Sequence, residues 1–139
     1  MTQLVSDVMT PDPVCVAPDT SLLDTARQMR DQGIGAVLVV DDGQLLGIIT
    51  DRDLVVRAMA EGLDGGSTDI GDVTTPSVAV VTAGSLLSQA ELLMRRQRIR
   101  RLPVCDETGH PVGIVSLGDP AGGVQLGRAA DLTGSDAPR

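Results

Sequence analysis

An internal repeat fills most of this 139-residue sequence. The segment Asp7-Val8-Met9-Thr10-Pro11 returns 65 positions later as Asp72-Val73-Thr74-Thr75-Pro76. The segment Gly47-Ile48-Ile49-Thr50 returns as Gly113-Ile114-Val115-Ser116, after one additional residue that we assign to Thr108. A repeat of this size cannot bury all of its own apolar faces, so we expect the two copies to pack against each other about an approximate twofold axis.

The pattern of each copy predicts an α+β fold with the order strand, helix, strand, strand, helix. In the first copy we predict a strand at 14–16, a helix capped by Thr20 or Ser21 and ended by Gly33, and a hairpin whose turn is Asp41-Asp42-Gly43. A last helix is predicted to be capped by Asp53 and to run through Leu54 to Met59, ending at Gly62. In the second copy we predict a strand at 78–81 and a helix capped by Ser85. The fold class is therefore two β-α-β-β-α repeats packed with pseudo-twofold symmetry.

The composition of the linker and of the C-terminus suggests where the repeats begin and end. We place the first repeat at residues 1–62, a Gly- and Ser-rich linker at 63–71, the second repeat at 72–132 and a flexible tail at 133–139. The last helix of the second repeat, expected near residues 125–132, is weakened by Pro120 and Gly122-Gly123 just before it. The second repeat is therefore expected to be the less regular of the two.

Composition and charge narrow the range of partners. Apolar residues make up 42% of the chain, which is typical of a globular domain. There is no Phe, Tyr or Trp on which bases could stack, and the net charge of -8 opposes binding to a phosphate backbone, so we expect no nucleic-acid partner. The chain lacks a run of about 20 apolar residues and a signal-peptide pattern at its start, so we expect a cytoplasmic protein without a membrane partner.

The scattered cysteines and the single histidine predict neither a metal site nor a catalytic site. Cys15 and Cys105 form no CxxC or Cys/His pattern, and we interpret both as small buried strand residues in a reducing compartment. A disulfide or a redox-active thiol is the alternative. His110 lies beside Pro111 in the second hairpin and is interpreted as a surface residue.

Each copy carries a Gly-x-x-Thr/Ser-x-x-Asp motif where its last strand leads into a helix. The motif supplies Thr50 and Asp53 in the first copy, and Ser116 and Asp119 in the second. A helix N-terminus favours anions, a hydroxyl can donate to a phosphate oxygen, and a carboxylate can accept from two ribose hydroxyls. One such motif is usually only a turn with Asp as the helix cap. Its recurrence at equivalent places favours ligand binding, and the two roles can coexist.

These residues together make the sequence resemble the cystathionine β-synthase-type (CBS) domain family, in the form of a tandem CBS pair or Bateman module. The resemblance covers about residues 4–120. It rests on the Asp-Val-Met-Thr-Pro opening, on Ile34 and Ile99, on the strand Leu102-Pro103-Val104 and on the two Gly-x-x-Thr/Ser-x-x-Asp motifs. The family implies two clefts between the repeats that bind adenosine-type ligands such as AMP, ADP, ATP, NAD or S-adenosylmethionine, with no covalent cofactor. It also implies a homodimer.

The resemblance assigns roles to the recurring residues. Thr50 and Ser116 would contact phosphate, and Asp53 and Asp119 would hold ribose. The sequence departs from the family pattern directly after Asp119, at Pro120, which leaves the geometry of the second site open.

An arginine cluster predicts that the two clefts differ in charge. All 11 basic residues are Arg, and five of them lie within seven positions: Arg95, Arg96, Arg98, Arg100 and Arg101. The first three are interpreted as a solvated helix end. In the resembled family, residues at the positions of Arg100 and Arg101 can reach phosphate, and the first copy has Gly35 and Ala36 there. Arg52 is a further candidate for phosphate contact.

The sequence therefore predicts a freestanding regulatory or sensor module rather than an enzyme. Such a module binds an adenosyl ligand between its repeats and passes its occupancy to an effector protein that the sequence does not identify. The alternative is a ligand-independent interaction or stress-response protein whose clefts are vestigial.

Overall fold

A computed structural model describes residues 2–76 and 79–117 of the chain. The predicted helix near 125–132, Asp119 and the tail at 133–139 lie outside the described residues. The first half contains α1 (Val5–Val8), β1 (Thr10–Pro11), β2 (Cys15–Val16), α2 (Leu22–Gln32), β3 (Ala36–Asp41), β4 (Gln44–Thr50) and α3 (Asp51–Asp53), which continues as a π-helix (Leu54–Met59). The second half contains a 3₁₀ turn (Ile70–Asp72), β5 (Val81–Thr82), α4 (Leu87–Gln97), β6 (Arg101–Cys105) and β7 (Pro111–Ser116).

The two repeats have the same sheet topology, which confirms the predicted α+β repeat fold. In the first repeat β2 pairs parallel with β3, and β3 pairs antiparallel with β4. In the second repeat β5 pairs parallel with β6, and β6 pairs antiparallel with β7. The strand predicted at 78–81 is observed from Val81 onwards, while Val78 itself is outside the described residues.

Each repeat buries its own apolar core, and the two cores have matching members. The first core consists of Val16, Leu22, Met29, Val37, Val39, Ile49, Ala58, Ile70 and Val73. The second core consists of Val5, Ala79, Val81, Ala90, Met94, Leu102, Val104 and Val115. Because Met29 and Met94, or Ile49 and Val115, occupy equivalent places, the sequence repeat is also a repeat of packing.

Two arms, residues 4–11 and 69–76, cross over so that each packs on the repeat it does not precede. β1 of the first arm pairs antiparallel with β7, with Pro11 opposite Gly113, while Pro76 of the second arm forms a bridge to Gly47. The exchange is reciprocal, because Val5 is buried in the second core and Ile70 in the first. The Thr-Pro end of the repeated Asp-Val-x-Thr-Pro segment is thus the part that pairs with the opposite repeat.

The glycines that open the two Gly-x-x-Thr/Ser-x-x-Asp motifs make room for these arms. A Cβ atom on Gly47 would lie 2.5 Å from the carbonyl oxygen of Thr75. A Cβ atom on Gly113 would lie 2.9 Å from the carbonyl oxygen of Thr10. Both positions therefore require glycine for close backbone approach rather than for an unusual backbone angle.

The first helix and hairpin follow the sequence predictions. Ser21 is the N-cap of α2 and its Oγ accepts a hydrogen bond from the backbone N–H of Asp24 at 3.0 Å, while Gly33 ends the helix with φ +67°. Asp42 and Gly43 both have positive φ, as a two-residue type I′ hairpin turn requires.

The start of α4 differs from the prediction that Ser85 caps it. Leu86 occupies the N-cap position and offers no side-chain hydrogen bond. The Oγ of Ser85 instead lies 2.8 Å from the hydroxyl of Thr82, in the preceding turn. The repeat offset of 65 explains the error, because it aligns Leu86, not Ser85, with the capping residue Ser21.

Candidate functional site

Thr50 and Asp53 bind each other at the start of α3. The Oγ1 of Thr50 accepts from the backbone N–H of Asp53 at 3.1 Å, and Oδ2 of Asp53 accepts from the backbone N–H of Thr50 at 2.9 Å. This is a capping box in which Thr50 is the N-cap and Asp53 is the third helical residue. The prediction that Asp53 is the cap is wrong, because the extended backbone of Thr50 already places a hydroxyl at that position.

The capping box leaves both side chains able to contact a ligand. Since the Thr50 hydroxyl oxygen acts as an acceptor, its proton remains available for donation. Within the described part of the chain, Oδ1 of Asp53 has no hydrogen-bond partner, so it can still accept. Both residues are half-buried, which limits competition from bulk water.

Arg101 of the second repeat reaches the strand ends of the first. A Cβ atom on Gly35 would lie 3.5 Å from Nη2 of Arg101 and 3.3 Å from Oδ2 of Asp51. The backbone N–H of Asp51 in turn donates to the carbonyl of Gly35 at 2.9 Å. Because Ala36 pairs with Thr50 in the sheet, this junction lies directly beside the capping box.

Within residues 2–76 and 79–117, no hydrogen bond of a guanidinium group brings Arg100 or Arg52 to this junction. Arg100 is exposed, and its Nη2 donates to the carbonyl of Leu117 at 3.4 Å, within its own repeat. Arg52 is also exposed, and the bond found for it among the described residues is that of its backbone N–H to Oδ1 of Asp51.

The second motif is described only in part. Ser116 ends β7, is half-buried and lies opposite Arg101 in the sheet. Asp119 lies outside the described residues. The structure therefore sets Ser116 and Arg101 side by side, in the position that Thr50 and Ala36 occupy in the first repeat.

Sequence reasoning named Gly35 only as a position that lacks an arginine, and it did not assign Asp51 to the site. The available signal was the alignment itself, because the position with no side chain in the first repeat carries Arg100 in the second. A glycine in one repeat that aligns with an arginine in the other indicates space that another group can occupy.

The cysteines and His110 lie away from this junction. Cys105 is buried as predicted, whereas Cys15 is exposed on edge strand β2, so the prediction for Cys15 is wrong. Desolvation raises the pKa of both thiols, which disfavours the reactive thiolate. His110 is exposed as predicted, with Nδ1 2.7 Å from the hydroxyl of Thr108.

Neither a metal cluster nor a membrane span is found in the ranges 2–76 and 79–117. No group of three His, Cys, Asp or Glu side chains there could hold a metal ion. No helix within those ranges combines the length and the apolar character needed to cross a membrane.

A separate groove of about 630 Å³ runs between β2 and α2. It is lined by Cys15, Val16, Ala17, Thr20, Asp24, Arg27, Gln28, Asp31 and Gln32. None of the predicted binding residues lies in it, and its walls are mostly polar.

Comparison with known proteins identifies the family. The model of the CBS domain matches the chain twice, at residues 5–59 and 70–120, and so covers more than half of it. The chain belongs to the CBS-domain family. Among curated relatives of this CBS pair, the CBS domain-containing protein YhcV of Bacillus subtilis is 38% identical over 115 residues, which are 83% of this chain and 81% of YhcV.

Two solved CBS structures that resemble this one contain adenosyl compounds. The CBS domain pair of protein MJ0100, in complex with 5′-methylthioadenosine and S-adenosyl-L-methionine, matches with a TM-score of 0.74 and 26% identity, over 84% of this chain and 90% of that one. CBSX2 in complex with AMP matches with a TM-score of 0.69 and 31% identity, over 83% of this chain and 90% of that one.

Proposed function

We propose that this CBS pair is a freestanding regulatory module that binds an adenosyl ligand between its repeats and signals occupancy to an effector protein. The ligand is AMP, ADP, ATP, NAD or S-adenosylmethionine. The proposed contacts are Thr50, Asp53 and Arg101 in the first cleft, and Ser116, Asp119 and Arg100 in the second. Arg52 is proposed as a further phosphate contact at the first.

One observation carries this proposal. The Thr50 hydroxyl proton and Oδ1 of Asp53 remain available at the start of a helix, and a cation from the other repeat, Arg101, lies beside the same strand end. A hydroxyl donor and an arginine suit a phosphate, and a carboxylate acceptor suits ribose hydroxyls. Such a ligand touches both repeats, so its binding can change how they pack and thus carry a signal.

The solved relatives support the chemical class of the ligand. AMP in CBSX2, and methylthioadenosine with S-adenosylmethionine in MJ0100, share the adenosine group and differ in charge. An adenine ring could pack on aliphatic side chains here, since the chain has no aromatic residue. We therefore propose that the clefts recognise adenosine, and that the ligands named above differ in the charged group attached to it.

Calorimetric titration with the five ligands tests the proposal. The wild type should bind at least one of them at millimolar concentration or tighter. Asp53→Asn keeps one oxygen for the backbone N–H of Thr50 but loses the second acceptor, so affinity at the first cleft should fall about tenfold or more. Asp53→Asn/Asp119→Asn should weaken both clefts. Asp42→Asn removes an equal charge from the exposed hairpin and should bind as the wild type does. Absence of binding by every ligand contradicts the proposal.

The capping box also supports a second candidate, a ligand-independent interaction or stress-response protein. Thr50 and Asp53 stabilise a helix whether or not a ligand is present, so their recurrence has a purely structural explanation. This candidate requires a melting temperature that none of the five ligands raises. A ligand-dependent increase excludes it.

We further propose a homodimer in the cytoplasm. The π-helix exposes Val55, Val56 and Met59, the last with 74% of its surface accessible, and such a set suits burial against a second copy. Cys15 and Cys105 are unpaired, which fits a reducing compartment. Sedimentation tests the dimer. The wild type should sediment as a dimer and Val55→Ser/Met59→Ser as a monomer.

A further inference from the structure

We infer that Asp51 sets the charge selectivity of the first cleft and makes it discriminate against ligands with several phosphates. The inference rests on the proposed function and extends it from the class of ligand to the preference within that class. It comes from the way Gly35 lies between Asp51 of one repeat and Arg101 of the other.

The distances fix how close the two charges are. Because one point, the Cβ position of Gly35, lies 3.3 Å from Oδ2 of Asp51 and 3.5 Å from Nη2 of Arg101, these two atoms are at most about 7 Å apart. Among the described residues they do not form an ion pair. The guanidinium group of Arg101 is thus attracted by Asp51 but keeps its donors for another acceptor.

The backbone holds Asp51 in this place. Its N–H donates to the carbonyl of Gly35 at 2.9 Å, and its Oδ1 accepts from the backbone N–H of Arg52 at 2.8 Å. Oδ2 is the oxygen that faces Gly35. These bonds place the exposed Asp51 carboxylate beside Gly35, where its negative charge faces the space next to Arg101.

A phosphate that binds Arg101 must share the space with this carboxylate. Each additional negative charge on the ligand raises the repulsion, whereas an uncharged nucleoside does not experience it. At such separations one unit charge changes affinity by about threefold in a water-like environment. The cleft should consequently prefer adenosine compounds of low negative charge over ADP and ATP.

The second repeat lacks the equivalent acid. Leu117 occupies the position that corresponds to Asp51, and Arg100 occupies that of Gly35. Selectivity against polyphosphates is accordingly a property of the first cleft alone.

The experiment measures affinities of adenosine, AMP, ADP and ATP for the wild type, Asp51→Asn and Asp42→Asn, at constant ionic strength without divalent cations. Asp51→Asn keeps an oxygen for the Arg52 N–H and removes the charge. Asp42→Asn removes an equal charge from the same repeat, and asparagine tolerates the left-handed backbone of that residue, φ +52°.

Asp51→Asn should raise the AMP-to-adenosine affinity ratio about threefold to tenfold and the ATP-to-adenosine ratio further, with a smaller effect at high salt. Asp42→Asn should leave both ratios unchanged. If the compounds bind but Asp51→Asn leaves both ratios unaltered, the inference is overturned while the proposed function stands. The same holds if Asp42→Asn alters the ratios as much as Asp51→Asn does. If the wild type binds none of the four compounds, the inference fails, and the proposed function fails with it only if NAD and S-adenosylmethionine do not bind either.

Discussion

The two repeats share a core and a strand register but differ at the positions that surround the cleft and the helix ends. Met29 and Met94 fill equivalent places in the two cores. Five positions of the first repeat have a different residue at the equivalent position of the second. These pairs are Ser21 with Leu86, Gly33 with Arg98, Gly35 with Arg100, Ala36 with Arg101, and Asp51 with Leu117. Buried positions are constrained by packing, whereas the half-exposed rim of the cleft can change without loss of the fold. The comparison thus separates the residues that build the pair from those that we propose as ligand contacts.

The long helices of the two repeats, α2 and α4, also differ in how their charged side chains pair. On α2, Arg27 pairs with Asp24 and Arg30 pairs with Asp31. Arg95, Arg96 and Arg98, at the end of α4, form no ion pair with any described residue. Exposed pairs contribute little to stability, so this difference alters the surface field of the second repeat much more than its folding.

The largest predicted effect concerns the arm exchange that both repeats have in common. Gly47→Ala and Gly113→Ala each place a methyl group within 3 Å of a backbone oxygen of the crossing arm, and each should lower the free energy of unfolding by about 2–3 kcal/mol. Gly84→Ala is the control, because a Cβ atom there meets nothing within 4 Å. Urea denaturation measures all three. If Gly47→Ala is as stable as Gly84→Ala, the close approach of the second arm is wrong.

An intermediate effect is expected where the long helices end. Arg98 adopts the left-handed conformation, φ +57°, at the position that Gly33 holds with φ +67°. Since a side chain disfavours that region, Arg98→Gly should stabilise the protein by about 1 kcal/mol and Gly33→Ala should destabilise it by about the same amount. Nothing lies within 4 Å of a Cβ atom on Gly33, so steric contact does not contribute. Thermal denaturation that shows both changes to be destabilising contradicts this interpretation.

A smaller effect is expected where the same helices begin. Ser21→Ala removes the side-chain acceptor for the Asp24 N–H and should cost about 1 kcal/mol at most. Ser85→Ala should cost less than half of that, because the bonds found for the Oγ of Ser85 among the described residues stay within the turn before α4. Equal losses in urea titrations of the two variants would restore Ser85 as a helix cap.

The sequence predicted those parts of the fold that depend on local patterns. The repeat offset, the glycine at the end of α2 and the Asp42-Gly43 turn were readable because each reflects one segment and its own backbone. The arm exchange was not readable, since nothing in Asp7-Val8-Met9-Thr10-Pro11 specifies which repeat it pairs with. Likewise, the motif predicted Thr50 and Asp53 as site residues. Their mutual capping box could not be predicted, because it depends on backbone angles that only the folded chain fixes.

The affinities of AMP and of adenosine for Arg101→Gln test whether one repeat supplies a ligand-binding residue to the other. We predict that AMP binds this variant about tenfold or more weakly while adenosine binds as it does to the wild type, because only the phosphate contacts this arginine. Arg95→Gln, at the exposed end of α4, should change neither affinity. If Arg101→Gln binds AMP as tightly as the wild type does, Arg101 does not contact the ligand of the first repeat.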